Sequence, residues 1–167
     1  VPPREQPLSC RFEFNNLADF RAKLAAHRGD LAGVMLEPAG ASQDGQAPAE
    51  DVDPFFLRSL AADTREAGGL LIFDEIITGF RYPGGGIQKA IGVVPDLACF
   101  GKALGAGMPL SALVGKASIL GAHMPKTFYG PTYKGEIYSL AAARVALETY
   151  RREPVAEYVW NFGQKIK

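Results

Sequence analysis

The chain has 167 residues, 47% of them hydrophobic and 22% charged, with 18 basic side chains balanced by 18 acidic ones. Such a chain can bury the core of one ordinary soluble domain. The balance leaves no basic footprint for nucleic acid or an anionic membrane surface, and no apolar run approaches the roughly 20 residues of a membrane span. The start, Val1-Pro2-Pro3-Arg4, has no basic-then-apolar signal pattern and no initiating Met. It predicts a piece of a longer, cytoplasmic chain. Cys10 and Cys99 form no CxxC motif and cluster with neither His27 nor His123. Two buried or half-buried thiols in a reducing compartment are expected, and no metal site.

Phe12 and Phe14 alternate with Arg11 and Glu13, the period of a short strand. Asn15 or Asn16 offers an N-cap for a helix over Leu17–Ala26 that ends near Gly29. The apolar run 31–36 suits a central parallel strand. Residues 38–51, rich in Ala, Gly, Pro, Gln and Asp, predict a loop. Asp53-Pro54 starts a helix to about Ala67, with Phe56, Leu57, Leu60 and Ala61 on one face and Gly68-Gly69 as its stop. Leu70–Asp74 is the next buried strand, followed by a loop at 82–86. Strands at 96–100 and 110–114 come next, then a loop over 124–135. A helix from about Glu136 to Arg151 and another from near Pro154 close the chain. Apolar strands alternating with helices predict an α/β fold with a mainly parallel sheet flanked by helices on both faces.

Ligands of open α/β sheets gather at the carboxyl ends of strands. Asp74 stands at one such end after four apolar residues, and a carboxylate there is costly unless it is paired or hydrogen-bonded. Glu75 follows at once, so the two must point to different sides, one toward a site and the other solvated or ion-paired. Lys102 ends the next strand, with glycines on both sides that let the backbone approach a ligand. Burial at that strand end would lower the lysine's pKa and favour its use as an amine nucleophile. Taken singly, Lys102 is a lysine snorkelling from a loop and Asp74 a structural carboxylate. Taken together they fit pyridoxal phosphate, which needs a lysine Schiff base at its aldehyde carbon and an acidic partner at its ring nitrogen. The freed lysine can then serve as general base. The run 70–75 also has the shape of the acidic strand of P-loop ATPases. The only Gly-Lys pairs, at 101–102 and 115–116, lie downstream, are followed by Ala and lack the earlier glycine. A nucleotide-binding domain therefore stays the weaker alternative.

The segments 71–81 (LIFDEIITGFR) and 95–109 (PDLACFGKALGAGMP) resemble the class III, fold type I, PLP-dependent aminotransferases, above all the glutamate-1-semialdehyde aminomutase-like branch. The resemblance runs from about Leu31 to Ala146. It implies part of the large PLP-binding domain over residues 1–152 and the start of a C-terminal small domain over 153–167. It implies that Lys102 is the Schiff-base lysine, that Asp74 pairs with the pyridine nitrogen, and that Ile76 packs on the cofactor ring. Thr132, in the Gly-Pro-Thr turn at 130–132, would bind the cofactor phosphate of the neighbouring subunit. A hydroxyl and backbone amides in such a turn suit an anion. Glu37-Pro38 matches the family's Glu-Pro turn, with Glu37 read as structural.

The resemblance further implies a homodimer with shared active sites, acting on a small-molecule amino donor and a carbonyl acceptor as transaminase or 2,1-aminomutase. Three departures stand out. Ile77 replaces the glutamine many relatives place beside the cofactor's phenolic oxygen. Ser42 stands where ω-aminotransferases carry a gate glutamate. The Gly/Ser-rich phosphate loop and the ring-stacking aromatic of the family's N-terminal part are absent. A truncated, non-catalytic module of the same fold is therefore the second expectation.

Overall fold

The computed structural model describes residues 8–39, 53–128, 130 and 132–166. From residue 40 onward the predicted loop at 38–51, with Ser42, lies outside them. Helix α1 (Leu17–Ala26) begins where the Asn16 side chain accepts the Asp19 N–H at 3.0 Å. Helix α2 (Pro54–Glu66) begins where Asp53 accepts the Phe55 N–H at 2.8 Å. Both starts follow from a short polar side chain satisfying an orphan amide of the first turn. Helix α2 ends at Ala67, and Gly68 follows at φ +79°, a left-handed stop that glycine takes without a Cβ penalty.

Strands β1 (Gly33–Leu36), β2 (Leu70–Glu75), β3 (Leu97–Phe100) and β4 (Ala112–Gly115) form one sheet in that order. The β1–β2 and β2–β3 pairs are parallel, and β4 runs antiparallel to β3 at the edge. Side chains alternate across the pleat. Val34, Leu36, Leu71, Phe73 and Ala98 are buried on one face, in a core with Phe56, Leu57, Leu60 and Ala61 of α2 and Phe20 of α1. Each fully buried Leu or Phe side chain here contributes about 1.5–3 kcal/mol relative to exposure.

The short helix α3 (Ile87–Ile91) buries Ile87 and Ile91 against the same core. Helix α4 (Ala117–His123) follows β4, and a single 3-10 turn over Met124–Lys126 follows it. Helix α5 (Ile137–Arg152) is capped by Glu136, whose carboxylate accepts the Tyr138 and Ser139 N–H groups at 2.7 Å each. The Ser139 hydroxyl and these amides hold the Glu136 carboxyl below the usual carboxylate range. Helix α6 (Val155–Ile166) closes the described chain.

The alternation at Phe12 and Phe14 makes no strand. Their rings pack edge-on against Phe20 and Phe56, and the backbone turns at once, with Asn15 at φ +60° and the Asn16 N–H on the Glu13 carbonyl. The period was that of core contact without ladder pairing. Helices α3 and α4, five and seven residues long, fall inside stretches whose composition gave no periodic signal.

Candidate functional site

The register of β2 against β3 sets Asp74 beside Cys99 and Glu75 beside Phe100. One residue on, the Ile76 side chain lies against Gly101, close enough that a Cβ there would meet Ile76 Cγ2 at 3.4 Å. Lys102 follows directly. Two adjacent parallel strands thus carry Asp74, Ile76 and Lys102 to one carboxyl edge. Asp74 is half-buried, and its Oδ1 accepts the Ile76 N–H at 3.0 Å. Among the described residues its second carboxylate oxygen has no bonded partner and remains open to a proton-bearing group.

Glu75 differs from expectation. It is neither solvated nor ion-paired but wholly buried, and its Oε2 accepts the Thr78 hydroxyl at 3.0 Å and the Ile87 N–H at 2.8 Å. It ties the loop after β2 to the start of α3. Gly86 must be glycine for this, because a Cβ would stand 2.5 Å from Glu75 Oε2. Lys102 also departs from expectation. Its side chain is exposed in this chain, and the predicted burial is not found.

Lys102 opens a 3-10 turn to Gly105 with φ +43°, a conformation that costs a non-glycine residue about 1–2 kcal/mol. The described residues hold four non-glycine residues at positive φ: Asn15, Phe80, Lys102 and Ala106. Three of these line one cavity of about 400 Å³, between the loop after β2, the Lys102 turn, α5 and α6. Arg81, Tyr150, Val155 and Val159 complete much of its wall. Backbone strain of this kind gathers at functional sites. The cavity opens beside Lys102 on the helical side, and Asp74 and Ile76 are not in its lining.

Tyr150 carried no sequence signal, and Phe80 stood inside the segment 71–81 without a role of its own. The Phe80 ring stacks on Tyr150 at 5.2 Å and packs on Phe100 at 5.6 Å, while the Trp160 indole donates to the Arg81 carbonyl at 2.6 Å. An aromatic residue at helical spacing reads as core in any helix, and only the fold brings Tyr150 to the lysine. Thr132 sits exposed in the turn 132–135, and nothing among the described residues joins it to Asp74 and Lys102. Ile77 is exposed, as is Glu37 at the end of β1. Cys10 is exposed too, contrary to the expected buried thiol, while Cys99 is half-buried. Burial pushes the Cys99 thiol up, and the neighbouring Asp74 charge adds to this. Among the described residues no group of His, Cys, Asp and Glu could hold a metal ion, and no helix is long and apolar enough to cross a membrane.

A sequence model of the family "Aminotransferase class-III" matches residues 4–167. The chain belongs to the class-III aminotransferase family. It is 38% identical over 156 residues to a glutamate-1-semialdehyde 2,1-aminomutase of Syntrophus aciditrophicus, covering 90% of this chain and 34% of that protein. It is 33% identical over 166 residues to a 3-aminobutyryl-CoA aminotransferase of Cloacimonas acidaminovorans, covering 99% and 40%. The class-III chain thus spans 34–40% of the length of these two relatives. Among solved structures it superposes on the FumI protein of Sphingopyxis sp. MTA144, in a PLP internal aldimine form, with TM-score 0.86 and 25% identity over 94% of this chain and 37% of that one. The acetylornithine aminotransferase of Elizabethkingia anophelis gives TM-score 0.80 and 27% identity over 93% and 38%. Its mainly parallel sheet with flanking helices is accordingly part of a fold type I aminotransferase domain.

Proposed function

We propose that this chain is part of the cofactor-binding domain of an enzyme that moves amino groups with pyridoxal phosphate, residues 1–152 belonging to the large domain and 153–167 opening the small one. The observation that carries the reading is the convergence of Asp74, Ile76 and Lys102 at the ends of two adjacent parallel strands. The donor set suits the cofactor: an amine, a carboxylate with an unengaged oxygen, and an aliphatic side chain beside them. When bound, pyridoxal phosphate supplies an aldehyde for the amine and a protonated ring that draws electrons from the substrate carbon. Asp74 would keep the proton on the ring nitrogen, because a negative charge within a few ångströms favours the protonated form. Ile76 would cover one ring face. Lys102 Nζ would hold the aldehyde carbon and, once released, take and return the proton at the substrate carbon.

Thr132 is proposed as the phosphate ligand of a neighbouring subunit, which makes the enzyme a homodimer. Its exposed place in the turn 132–135 leaves the hydroxyl accessible for that contact. The substrates would be a small amino donor and a carbonyl acceptor, in the cytoplasm. Relatives of both kinds, mutase and transferase, match at similar identity. The two reactions share these residues.

Borohydride reduction of the PLP-treated polypeptide that carries this chain, followed by peptide mapping, tests the reading. The cofactor mass is expected on the Lys102 peptide and is expected to vanish in Lys102→Ala, with amino transfer falling by about 10²–10⁴-fold or more. Cofactor fixed on another lysine, or no capture at all, would overturn it, the latter leaving a non-catalytic module of the same fold.

A further inference from the structure

We propose that Tyr150 is a positioning residue for Lys102: its phenol, through the Ala103 carbonyl, keeps the turn that presents the lysine in its left-handed conformation. The inference rests on the proposed role of Lys102.

A lysine at φ +43° persists only where its surroundings over-determine the backbone. Part of that restraint is local. The Leu104 N–H meets the Gly101 carbonyl at 2.9 Å, and the Ala106 N–H meets the Ala103 carbonyl at 3.2 Å. Any short turn can make such bonds, and they do not distinguish this one. The long-range restraint is the Tyr150 hydroxyl, which donates to the Ala103 carbonyl at 2.9 Å across 47 residues of chain. A carbonyl oxygen has two lone pairs, so Ala103 can accept from Ala106 and Tyr150 together.

Tyr150 is itself held from both sides. Its ring stacks on Phe80 with an interplanar angle of 19°, and Phe80 packs on Phe100, the residue before Gly101. Phe80 is, with Lys102 and Ala106, one of the three strained residues that line the cavity, at φ +61°. The Trp160 indole donates to the Arg81 carbonyl and so restrains the peptide between Arg81 and Tyr82. The stack therefore joins α5, the loop that follows Asp74 and Ile76, and the end of β3. Replacing the phenol by a phenyl ring keeps the stack and removes only the hydrogen bond.

Tyr150→Phe separates the positioning role from plain packing. Two measurements are made on the polypeptide that carries this chain: amide exchange at Leu104 and Ala106 without cofactor, and the pH midpoint of the absorbance band of Lys102-bound PLP. Losing one neutral hydrogen bond is expected to speed exchange at these amides by about 3- to 10-fold, to shift the midpoint, and to lower kcat with little change in KM. Unchanged exchange and an unchanged midpoint, with or without a lower melting temperature, would show that Tyr150 only packs. If the wild type takes up no PLP on Lys102, the proposed function fails and this role falls with it. Capture in the wild type with a silent Tyr150→Phe sinks the positioning role alone.

Discussion

The two faces of the sheet are unlike. On one, Leu71 and Phe73 are fully buried with Val34, Leu36 and Ala98 beneath α1 and α2. On the other, Asp74, Ile72 and Cys99 are only half-buried, and Met35 and Leu113 are 55% and 40% exposed. The strand register puts these five side chains on one face. Parallel sheets are normally covered on both sides. The covered face therefore holds the apolar core, and the open one leaves Asp74 accessible. The adjacent carboxylates divide the same way. Glu75 points with Leu71 and Phe73 and is consumed by structure. Asp74 points with Ile72 and keeps an oxygen free.

If the faces differ in kind, substitutions on them should separate stability from chemistry. Leu60→Ala, in the sealed core, is expected to cost about 2–5 kcal/mol. That is a large share of the ~5–15 kcal/mol of a typical domain. Its effect on cofactor capture by the surviving folded protein should be small. Asp74→Asn keeps an acceptor for the Ile76 N–H. It should move stability by less than about 1 kcal/mol, while amino transfer drops on the order of 10²-fold. Urea unfolding and turnover on the two variants decide it. An Asp74→Asn protein as unstable as Leu60→Ala would place Asp74 in the core and erase the distinction.

Glu75 sharpens the boundary. Glu75→Ala strands the Thr78 hydroxyl and the Ile87 N–H in a buried place, at about 1–3 kcal/mol. Among the described residues Glu75 Oε1 is buried without a partner. Glu75→Gln keeps an oxygen for both donors and puts an amide where Oε1 stood, so it should lie closer to wild type. Thermal melts of the pair check the order. Equal losses for Ala and Gln would mean that the charge of the carboxylate, and not its acceptor oxygen, holds the loop.

Much of the covered face could be read directly from the sequence. Asp53-Pro54 and Asn16 mark helix starts because capping is local chemistry, and the apolar runs mark strands because a strand buried in a parallel sheet tolerates few polar side chains. The placement of Asp74 and Lys102 at the ends of neighbouring strands could also be read, from the apolar runs that precede them. What escaped depends on contacts between distant segments. The fate of Glu75 was set by Ile87 and Gly86, which sequence spacing does not bring near. The exposure of Lys102 reflects how much surface this chain leaves open around the turn. Tyr150 reached Ala103 only because α5 packs there.

The smallest expected effect lies at the opposite end of the same strands. Asp96, almost fully buried, accepts the Leu71 N–H at 2.8 Å and meets Lys116 Nζ at 2.5 Å, joining β2, β3 and the residue after β4. Burial pushes its carboxyl up, but the Lys116 hydrogen bond, the Leu71 amide and the charges of Lys116 and Arg65 outweigh it, and its pKa lies below the ordinary 3.8. A carboxyl whose folded pKa is depressed stabilises the fold above its unfolded pKa and loses that contribution as pH falls through the folded one. Acidification from about pH 5 to below 3.8 should therefore remove it. Lys116 is 56% exposed, which screens the pair and limits its charge contribution to about 1 kcal/mol or less. Asp96→Asn keeps an acceptor for Leu71 but cannot titrate, so its melting temperature should fall less steeply than that of wild type across this window. Parallel acid slopes for the two proteins would show that the ion pair contributes no pH-dependent stability, and that the base of the sheet is held by the Leu71 bond and the apolar core alone.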